Sequence, residues 1–177
     1  MNITVYLGAQ QGNNAKFENA VKELGTFIGG KGDTLVYGGS GTGLMRVLAD
    51  SVLASGGYVI GVEPQMFIDR QYDAVNELIV TEDMRSRRAK MIELGDAFIA
   101  FPGGTGTLEE ISEIMSLVSL KMMTAPCILY NLDGYYDSLK ALLNTMVTFG
   151  FSSKNRQDGI YFCNSLSEIE QILGQNR

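Results

Sequence analysis

Apolar and polar positions follow two alternating patterns along the chain. Short runs of Val, Ile, Leu and aromatic residues recur, and each is followed by a longer segment whose apolar positions return every three or four residues. The short runs predict strands at 3–8, 34–39, 58–63, 77–81, 96–101, 126–131 and 160–163. The longer segments predict helices at about 15–28, 44–53, 83–94, 108–121, 135–149 and 166–173.

The strand segments are continuous apolar runs rather than strict alternations, which is typical of strands that are buried on both faces. Strands that alternate with helices of roughly 10 to 15 residues indicate an α/β fold with a doubly wound parallel sheet. Helices on both faces of such a sheet give a three-layer α-β-α architecture. Since no linker, repeat or low-complexity segment interrupts the chain, we expect a single domain over residues 1–177.

Composition and charge limit the partners of the protein. The chain is 45% hydrophobic and has a formal net charge of −6, which argues against a broad nucleic-acid-binding surface. Its longest apolar runs are too short to span a bilayer, and the first residues lead directly into a strand segment without a leader pattern. We therefore expect a soluble, cytoplasmic protein with neither nucleic acid nor a membrane as partner.

The absence of histidine limits the chemistry more sharply. It excludes Ser-His and Cys-His nucleophile pairs and histidine-ligated zinc. Cys127 and Cys163 lie far apart beside apolar or aromatic residues, which favours buried thiols. Carboxylates, Arg, Lys, Tyr, hydroxyls and backbone amides remain, and we expect neither a metal nor a cofactor.

Glycine-rich segments follow three of the predicted strands, at 8–14, 38–43 and 102–107. Ligands of such sheets bind beyond the carboxyl ends of the strands, where glycine lets backbone N–H groups approach an anion. Turn geometry alone explains any one such loop, but three at one edge favour a shared ligand that carries phosphate. Leu44 replaces the lysine of a P-loop. A nicotinamide-binding loop stays an alternative, because Glu63 lies where a ribose-binding acid would.

Acidic and basic residues accompany the third loop. In "GGTGTLEE", Thr107 and Glu110 have the spacing of a helix capping box. Alternatively, the loop binds a phosphate while a carboxylate faces a ribose of the same ligand. The segment "MRSRRAKM" (84–91) supplies cations, and a helix there places Arg87 and Arg88 on one broad face. A solvated charged face is the alternative interpretation of this segment.

Two of these segments resemble paired signatures of the LOG ("lonely guy") family. "PGGTGTLEE" resembles its P-G-G-x-G-T-x-x-E motif, and "MRSRRAKM" resembles M-x-x-R-K-x-x-M, with Arg88 in place of the lysine. "LVYGGSGTGLM", "VIGVEP" and "GYYDSL" follow the order of the family as well. Members are cytokinin riboside 5′-monophosphate phosphoribohydrolases, often labelled lysine decarboxylases. The resemblance implies a Rossmann-like fold, an AMP-like ligand, and a homodimer or larger assembly with active sites near the subunit interface.

The resemblance also implies roles for residues. Arg87 and Glu110 are the expected catalytic pair, in a hydrolysis that releases a purine base and ribose 5-phosphate. The expected substrate contacts are Gly39, Arg88, Gly103, Gly104, Thr105, Gly106, Thr107, Leu108, Glu109 and Ser116. Arg46 and the first loop, "LGAQQG", depart from the family pattern. A nucleotide- or molybdenum-cofactor-binding carrier without turnover is the alternative, since carriers share similar folds.

Overall fold

Seven parallel strands form the central sheet of the protein, whose computed structural model describes residues 1–176. The strands are β1 (Asn2–Tyr6), β2 (Thr34–Tyr37), β3 (Tyr58–Pro64), β4 (Glu77–Thr81), β5 (Ala97–Ala100), β6 (Cys127–Tyr130) and β7 (Ile160–Cys163). Their order across the sheet is β4-β3-β2-β1-β5-β6-β7. The central strands β1, β2, β5 and β6 are almost wholly buried, as their continuous apolar sequences predict.

Helices cover both faces of the sheet. They are α1 (Ala15–Gly30), α2 (Gly43–Ala54), α3 (Met84–Leu94), α4 (Thr105–Ser119), α5 (Asp137–Thr148) and α6 (Leu166–Gln175). One core lies under α1, α2 and α6, and the second lies under α3, α4 and α5. The doubly wound, three-layer α-β-α prediction is therefore confirmed.

The order of the strands determines where a ligand can bind. From β1 the chain moves outward through β2 and β3 to β4, and then α3 returns it to β5 on the other side of β1. The direction of winding thus reverses between β1 and β5, and the loops that follow these two strands separate there. Open α/β sheets bind ligands in the crevice that forms at such a point.

The predicted elements agree with the structure to within about three residues at each boundary. The largest difference is at α4, which begins at Thr105 rather than at 108. The segment predicted as irregular, 65–76, includes a 3₁₀ helix at Gln65–Arg70. Among residues 1–176, none of the helices is sufficiently long and apolar to cross a membrane.

Helices α1 and α2 pack with their backbones in close approach. A methyl group added to Gly25 would lie 2.6 Å from Ser51 Cβ, and one added to Gly29 would lie 2.5 Å from the Val52 carbonyl oxygen. These glycines are one helical turn apart, so both face α2. This contact sets the distance between α1 and α2. Because these helices follow the first two glycine loops, the contact also sets the spacing of those loops.

We predict that Gly29→Ala and Gly30→Ala have opposite outcomes. Gly29→Ala forces the α1–α2 contact apart and should lower the free energy of unfolding by about 2 kcal/mol or more. Gly30, the matched control, is exposed and has nothing within 4 Å of an added methyl group, so alanine should leave stability unchanged or raise it by about 0.5 kcal/mol. Urea unfolding followed by circular dichroism measures both. Equal losses would contradict the packing described here.

Candidate functional site

A cleft of about 300 Å³ opens at the carboxyl edge of the sheet. It lies between the loops after β1 and β2, the end of β3, and the starts of α3 and α4, and so includes part of each predicted glycine loop. Its polar lining residues are Ser40, Glu63, Arg70, Arg87, Thr105, Thr107, Glu109 and Glu110, together with Gly8, Gly38, Gly104 and Gly106. Met45, Phe67 and Met84 supply apolar wall.

Arg87 is placed in the cleft by the start of α3. Asp83 and Ser86 form a reciprocal capping box that fixes the first turn of the helix, and Arg87 follows immediately. Its Nε donates a hydrogen bond to the Val62 carbonyl at 3.0 Å, and its Nη1 donates to Glu110 Oε1 at 2.8 Å. Both partners of the Arg87–Glu110 ion pair are buried, with side-chain exposures of 8% and 7%.

Glu110 lies in the second turn of α4 and does not cap it. Gly104 occupies the N-cap position without a side-chain hydrogen bond, so Thr107 is already inside the helix. The capping-box interpretation of Thr107 and Glu110 is therefore wrong. The helix begins before Thr107 because the loop that leads into it is tight: a methyl group on Gly103 would lie 2.2 Å from Thr107 Oγ1. The chain can enter the helix this early only with glycine there.

The start of α4 presents an unfilled set of backbone donors to the cleft. The first hydrogen bond within α4 runs from Leu108 N–H to the Gly104 carbonyl, at 3.1 Å. The N–H groups of Thr105, Gly106 and Thr107 precede that bond and have no acceptor in the helix. Together with the positive end of the helix dipole, they form an environment that favours an anion.

Glu63 is a third carboxyl group of the cleft, beside Glu109 and Glu110. It ends an apolar strand, is only 3% exposed, and its side chain makes no hydrogen bond within residues 1–176. Burial raises the pKa of Glu63 to about 7, against the opposing effect of the Arg87 and Arg70 guanidinium groups. Burial also raises the pKa of Glu110, and there the hydrogen-bonded Arg87 opposes the effect directly.

From the sequence, Glu63 is a candidate site residue only in the nicotinamide alternative. The signal that could have found it is a glutamate at the end of an otherwise apolar, buried strand. Its neighbour Gly39, a predicted ligand contact, has φ +81°, and a methyl group there would lie 2.9 Å from Glu63 Oε2. Gly39 therefore allows the second glycine loop to close over this carboxyl group.

The structure brings together most, but not all, of the predicted site residues. Gly104, Thr105, Gly106, Thr107 and Glu109 line the cleft beside the Arg87–Glu110 pair. Gly103 borders an adjoining apolar hollow, where its carbonyl accepts a hydrogen bond from the Tyr135 hydroxyl.

Arg88, Leu108 and Ser116 lie outside the cleft lining in this single chain. Arg88 pairs with Glu109 at 3.0 Å and with Glu113 at 3.2 Å, on the outer side of α4. Leu108 is 45% exposed. Ser116 is exposed and donates a hydrogen bond to the Ser112 carbonyl within its own helix.

The arrangement suits a ligand with chemically different ends. The helix start attracts an anion such as a phosphate, whereas Glu63 and Glu110 repel one. Hydroxyl groups or a developing positive charge can occupy the space near these carboxyls, and the apolar wall can contact a ring. A phosphorylated sugar that carries a planar base has these three parts.

Comparisons with known proteins agree with this interpretation. Residues 45–173 match the family model described as "Possible lysine decarboxylase". The chain is 37% identical over 173 residues to cytokinin riboside 5′-monophosphate phosphoribohydrolase LOG1 of Arabidopsis thaliana, covering 97% of this chain and 81% of the relative. It is also 37% identical over 167 residues to the cytokinin riboside 5′-monophosphate phosphoribohydrolase of Rhodococcoides fascians, covering 93% and 84%.

Solved structures show the same fold at lower identity. The molybdenum cofactor binding protein of Rippkaea orientalis superimposes with a TM-score of 0.75 at 24% identity, covering 98% of this chain and 95% of the other. The molybdenum cofactor carrier protein of Chlamydomonas reinhardtii gives a TM-score of 0.72 at 21% identity, covering 98% of both chains. At this level of identity the similarity concerns the fold alone.

The two neighbouring arginines of α3 should differ sharply in their contribution to stability. Arg87→Ala leaves Glu110 buried without its partner, and should lower the free energy of unfolding by about 3–5 kcal/mol at pH 7.5. Arg88→Ala removes pairs whose carboxylates are exposed, and should cost at most about 1 kcal/mol.

The pH dependence identifies the cause. Removal of Arg87 raises the pKa of Glu110 further, so this carboxyl becomes neutral more readily as the pH falls. The loss in Arg87→Ala should therefore be smaller at pH 5 than at pH 7.5, as measured by urea unfolding at both. A loss that is independent of pH would show that lost packing, not the unpaired charge, dominates.

Proposed function

The chain belongs to the cytokinin riboside 5′-monophosphate phosphoribohydrolase (LOG) family, and from this premise we propose that it hydrolyses the N-glycosidic bond of a purine nucleoside 5′-monophosphate. The substrate is AMP or a cytokinin-type nucleotide, and the products are the free base and ribose 5-phosphate. The observation that carries the proposal is the buried Arg87–Glu110 pair, with Glu110 in the second turn of α4, just after the donor-rich start of that helix.

The start of α4 holds the phosphate in this proposal. Backbone N–H groups of Thr105, Gly106 and Thr107 donate to the phosphate oxygens, and the two threonine hydroxyls can add further donors. Binding here places the ribose over Glu110. The phosphate contacts thus contribute orientation, which makes the attack of water on the sugar effectively intramolecular.

Glu110 is the group we propose to act on the sugar. Its carboxylate stabilises the positive charge that develops on the ribose ring and accepts a proton from the attacking water. Arg87 holds this carboxylate at 2.8 Å and fixes its orientation. A guanidinium group hardly loses its proton, so Arg87 positions the carboxylate and does not transfer a proton to the substrate.

The lysine decarboxylase description has no support in the cleft. Schiff-base chemistry needs a lysine amine beside the substrate, and none of the described residues that line the cleft is a lysine. A nucleotide- or molybdenum-cofactor carrier is the second candidate, because the structural neighbours include such proteins. A carrier would bind its ligand at the same helix start and would not turn it over.

We also propose a homo-oligomer. Leu142, Met146 and Phe149 form an exposed apolar stripe along α5 and its end, at helical spacing, and Phe151 next to it is 83% exposed. None of the residues of α5 is buried in the single chain. A contiguous apolar face of this kind is typical of an interface, and a second copy is the partner that the family resemblance implies.

The free thiols fit a reducing compartment. Cys127 and Cys163 are both buried and unpaired by a disulfide. Burial raises the pKa of both thiols above its usual value, so they are unreactive. We therefore propose that the protein acts in the cytoplasm, where nucleoside monophosphates are made and thiols stay reduced.

Incubation with AMP and with N6-substituted analogues should release free base and ribose 5-phosphate in equal amounts, as measured by chromatography. Glu110→Gln should lower kcat by about 100-fold or more, because the group that stabilises the sugar and activates water is lost. Affinity for AMP, measured by calorimetry, should change little. Glu113→Gln is the control, since Glu113 is exposed and pairs with Arg88 outside the cleft.

The same measurements separate the two candidates. An enzyme loses turnover in Glu110→Gln and keeps ligand affinity. A carrier binds its ligand in both forms and releases no base in either. Folded wild-type protein that liberates no base from any purine monophosphate would therefore overturn the hydrolase proposal.

A charge placed in the apolar stripe should dissociate the assembly. Met146→Glu is expected to shift the sedimentation coefficient toward that of a single 19.3 kDa chain, because a carboxylate cannot be buried unpaired in an apolar interface. Tyr58→Ser changes an exposed aromatic residue at the amino end of β3 and should leave the assembly intact. A wild-type monomer, or dissociation by both variants, would refute the assignment of the stripe.

A further inference from the structure

Departure of the purine base raises a question that Arg87 and Glu110 leave open. When the bond between C1′ and the base breaks, its electron pair goes to the base, and protonation of a ring nitrogen stabilises the leaving group. Arg87 is a poor proton donor, and Glu110 is engaged as the carboxylate that faces the sugar and water. The reaction therefore needs another group in the cleft that can donate a proton to the base.

Glu63 has the position for this role. It lines the same cleft as Arg87 and Glu110, and it comes from β3, whereas Glu110 comes from α4. Its side chain is almost fully buried and makes no hydrogen bond within residues 1–176, although Gly39 packs directly against it. A carboxyl group that lines a cleft and accepts no hydrogen bond from the described residues is free to bond to a ligand.

The surroundings of Glu63 favour its acid form more than those of Glu110 do. The guanidinium groups of Arg87 on α3 and Arg70 on the 3₁₀ helix favour the ionised form of Glu63, but neither forms a hydrogen bond with it. Burial has the larger, opposite effect and raises the pKa of Glu63 to about 7. Tyr37 on β2 is the remaining titratable neighbour, and its own pKa is raised by burial and by Glu63. Glu110, by contrast, accepts a hydrogen bond from Arg87, which stabilises its ionised form.

We propose that Glu63 is the general acid of the reaction and donates a proton to the departing purine. The proposal rests on the hydrolase function proposed above and deepens it. Two carboxyl groups whose environments differ are the usual means by which one site supplies an acid and a base at neutral pH.

The proposed step balances with water as the only co-reactant. The C1′–N bond breaks, its electron pair goes to the base, and the proton of the Glu63 carboxyl group goes to a base nitrogen. The water oxygen forms the new bond to C1′, and Glu110 accepts the proton that this water loses. Exchange with solvent then returns a proton to Glu63 and removes one from Glu110, so the net change is the addition of one water molecule.

A pair of substrates tests the role of Glu63 directly. AMP needs a proton on its base, whereas 7-methylguanosine 5′-monophosphate already carries a positive charge on its base and needs none. Glu63→Gln should lower kcat for AMP by about 100-fold or more, the usual size of a general-acid effect. The same variant should keep kcat for the methylated substrate within about five-fold of wild type, well below that effect.

The pH profile gives an independent readout. In wild type, kcat/KM for AMP should fall as the pH rises through about 7, because the acid form of Glu63 is lost. This fall should be absent in Glu63→Gln. The substrate phosphate titrates near pH 6 with both proteins, so its effect cancels in the comparison.

A thermal unfolding experiment checks that the Glu63→Gln variant is folded. Because folding raises the pKa of the Glu63 carboxyl group, the wild-type protein loses stability as the pH rises toward that pKa. Glutamine should therefore raise the unfolding temperature above pH 7 and change it less at pH 5.

Several results would overturn the assignment. Unchanged AMP hydrolysis in Glu63→Gln would show that Glu63 donates no proton. Equal losses of kcat on both substrates, or a rise in KM alone, would make Glu63 a positioning or binding residue instead. If wild-type protein cleaves neither substrate, both the hydrolase function and the acid role of Glu63 are refuted. If wild-type protein is active and Glu63→Gln is equally active, only the acid role is refuted.

Discussion

The buried ion pair between Arg87 and Glu110 is the interaction on which the site depends. Two charges away from water are stable only when each has close partners, and the guanidinium group meets this need with Glu110 and the Val62 carbonyl. These contacts connect α3, α4 and the end of β3. Three elements that are distant in sequence therefore have fixed relative positions at the carboxyl edge of the sheet, and the carboxylate and guanidinium groups of the cleft are already oriented by each other.

The same constraint explains why glycine surrounds the cleft. A methyl group on Gly38 would lie 2.3 Å from Arg87 Nη2, so glycine lets the second loop pass beside the guanidinium group without displacing it. Gly39 makes the same allowance for Glu63, and Gly103 for the side chain of Thr107. In the sequence these glycines suggest an anion cradle. In the structure the loop before α4 leads into a helix start with free backbone donors, whereas the second loop makes room for buried charged side chains.

Much of this organisation can be predicted from the sequence. Apolar runs that are buried on both faces give the parallel sheet, and the spacing in "MRSRRAKM" predicts Arg87, Arg88 and Met91 on one broad face of α3, of which Arg87 and Met91 are buried. The sequence predicts too late a start for α4, because the Thr-x-x-Glu spacing imitates a cap while Gly104 is the actual N-cap. Glu63 is hard to predict as a site residue, because its one local signal, an acid at the end of an apolar strand, does not reveal what the acid faces. Its significance comes from burial and from the long-range approach of Arg87, which only the fold determines.

Arg88 shows how a charged residue outside the cleft bears on the proposed binding of a phosphate. Glu109 lines the cleft at the start of α4, where its negative charge would oppose the phosphate that we propose the backbone donors bind. Arg88 pairs with this carboxylate at 3.0 Å from the outer side and so reduces the repulsion. Because an exposed ion pair is worth little in stability, its effect on the field at the helix start matters more than its contribution to folding. In the proposed mode of binding, the adjacent arginines of α3 thus have different tasks: Arg87 orients the carboxylate that we propose faces the sugar, and Arg88 pairs with the one that we propose lies near the phosphate.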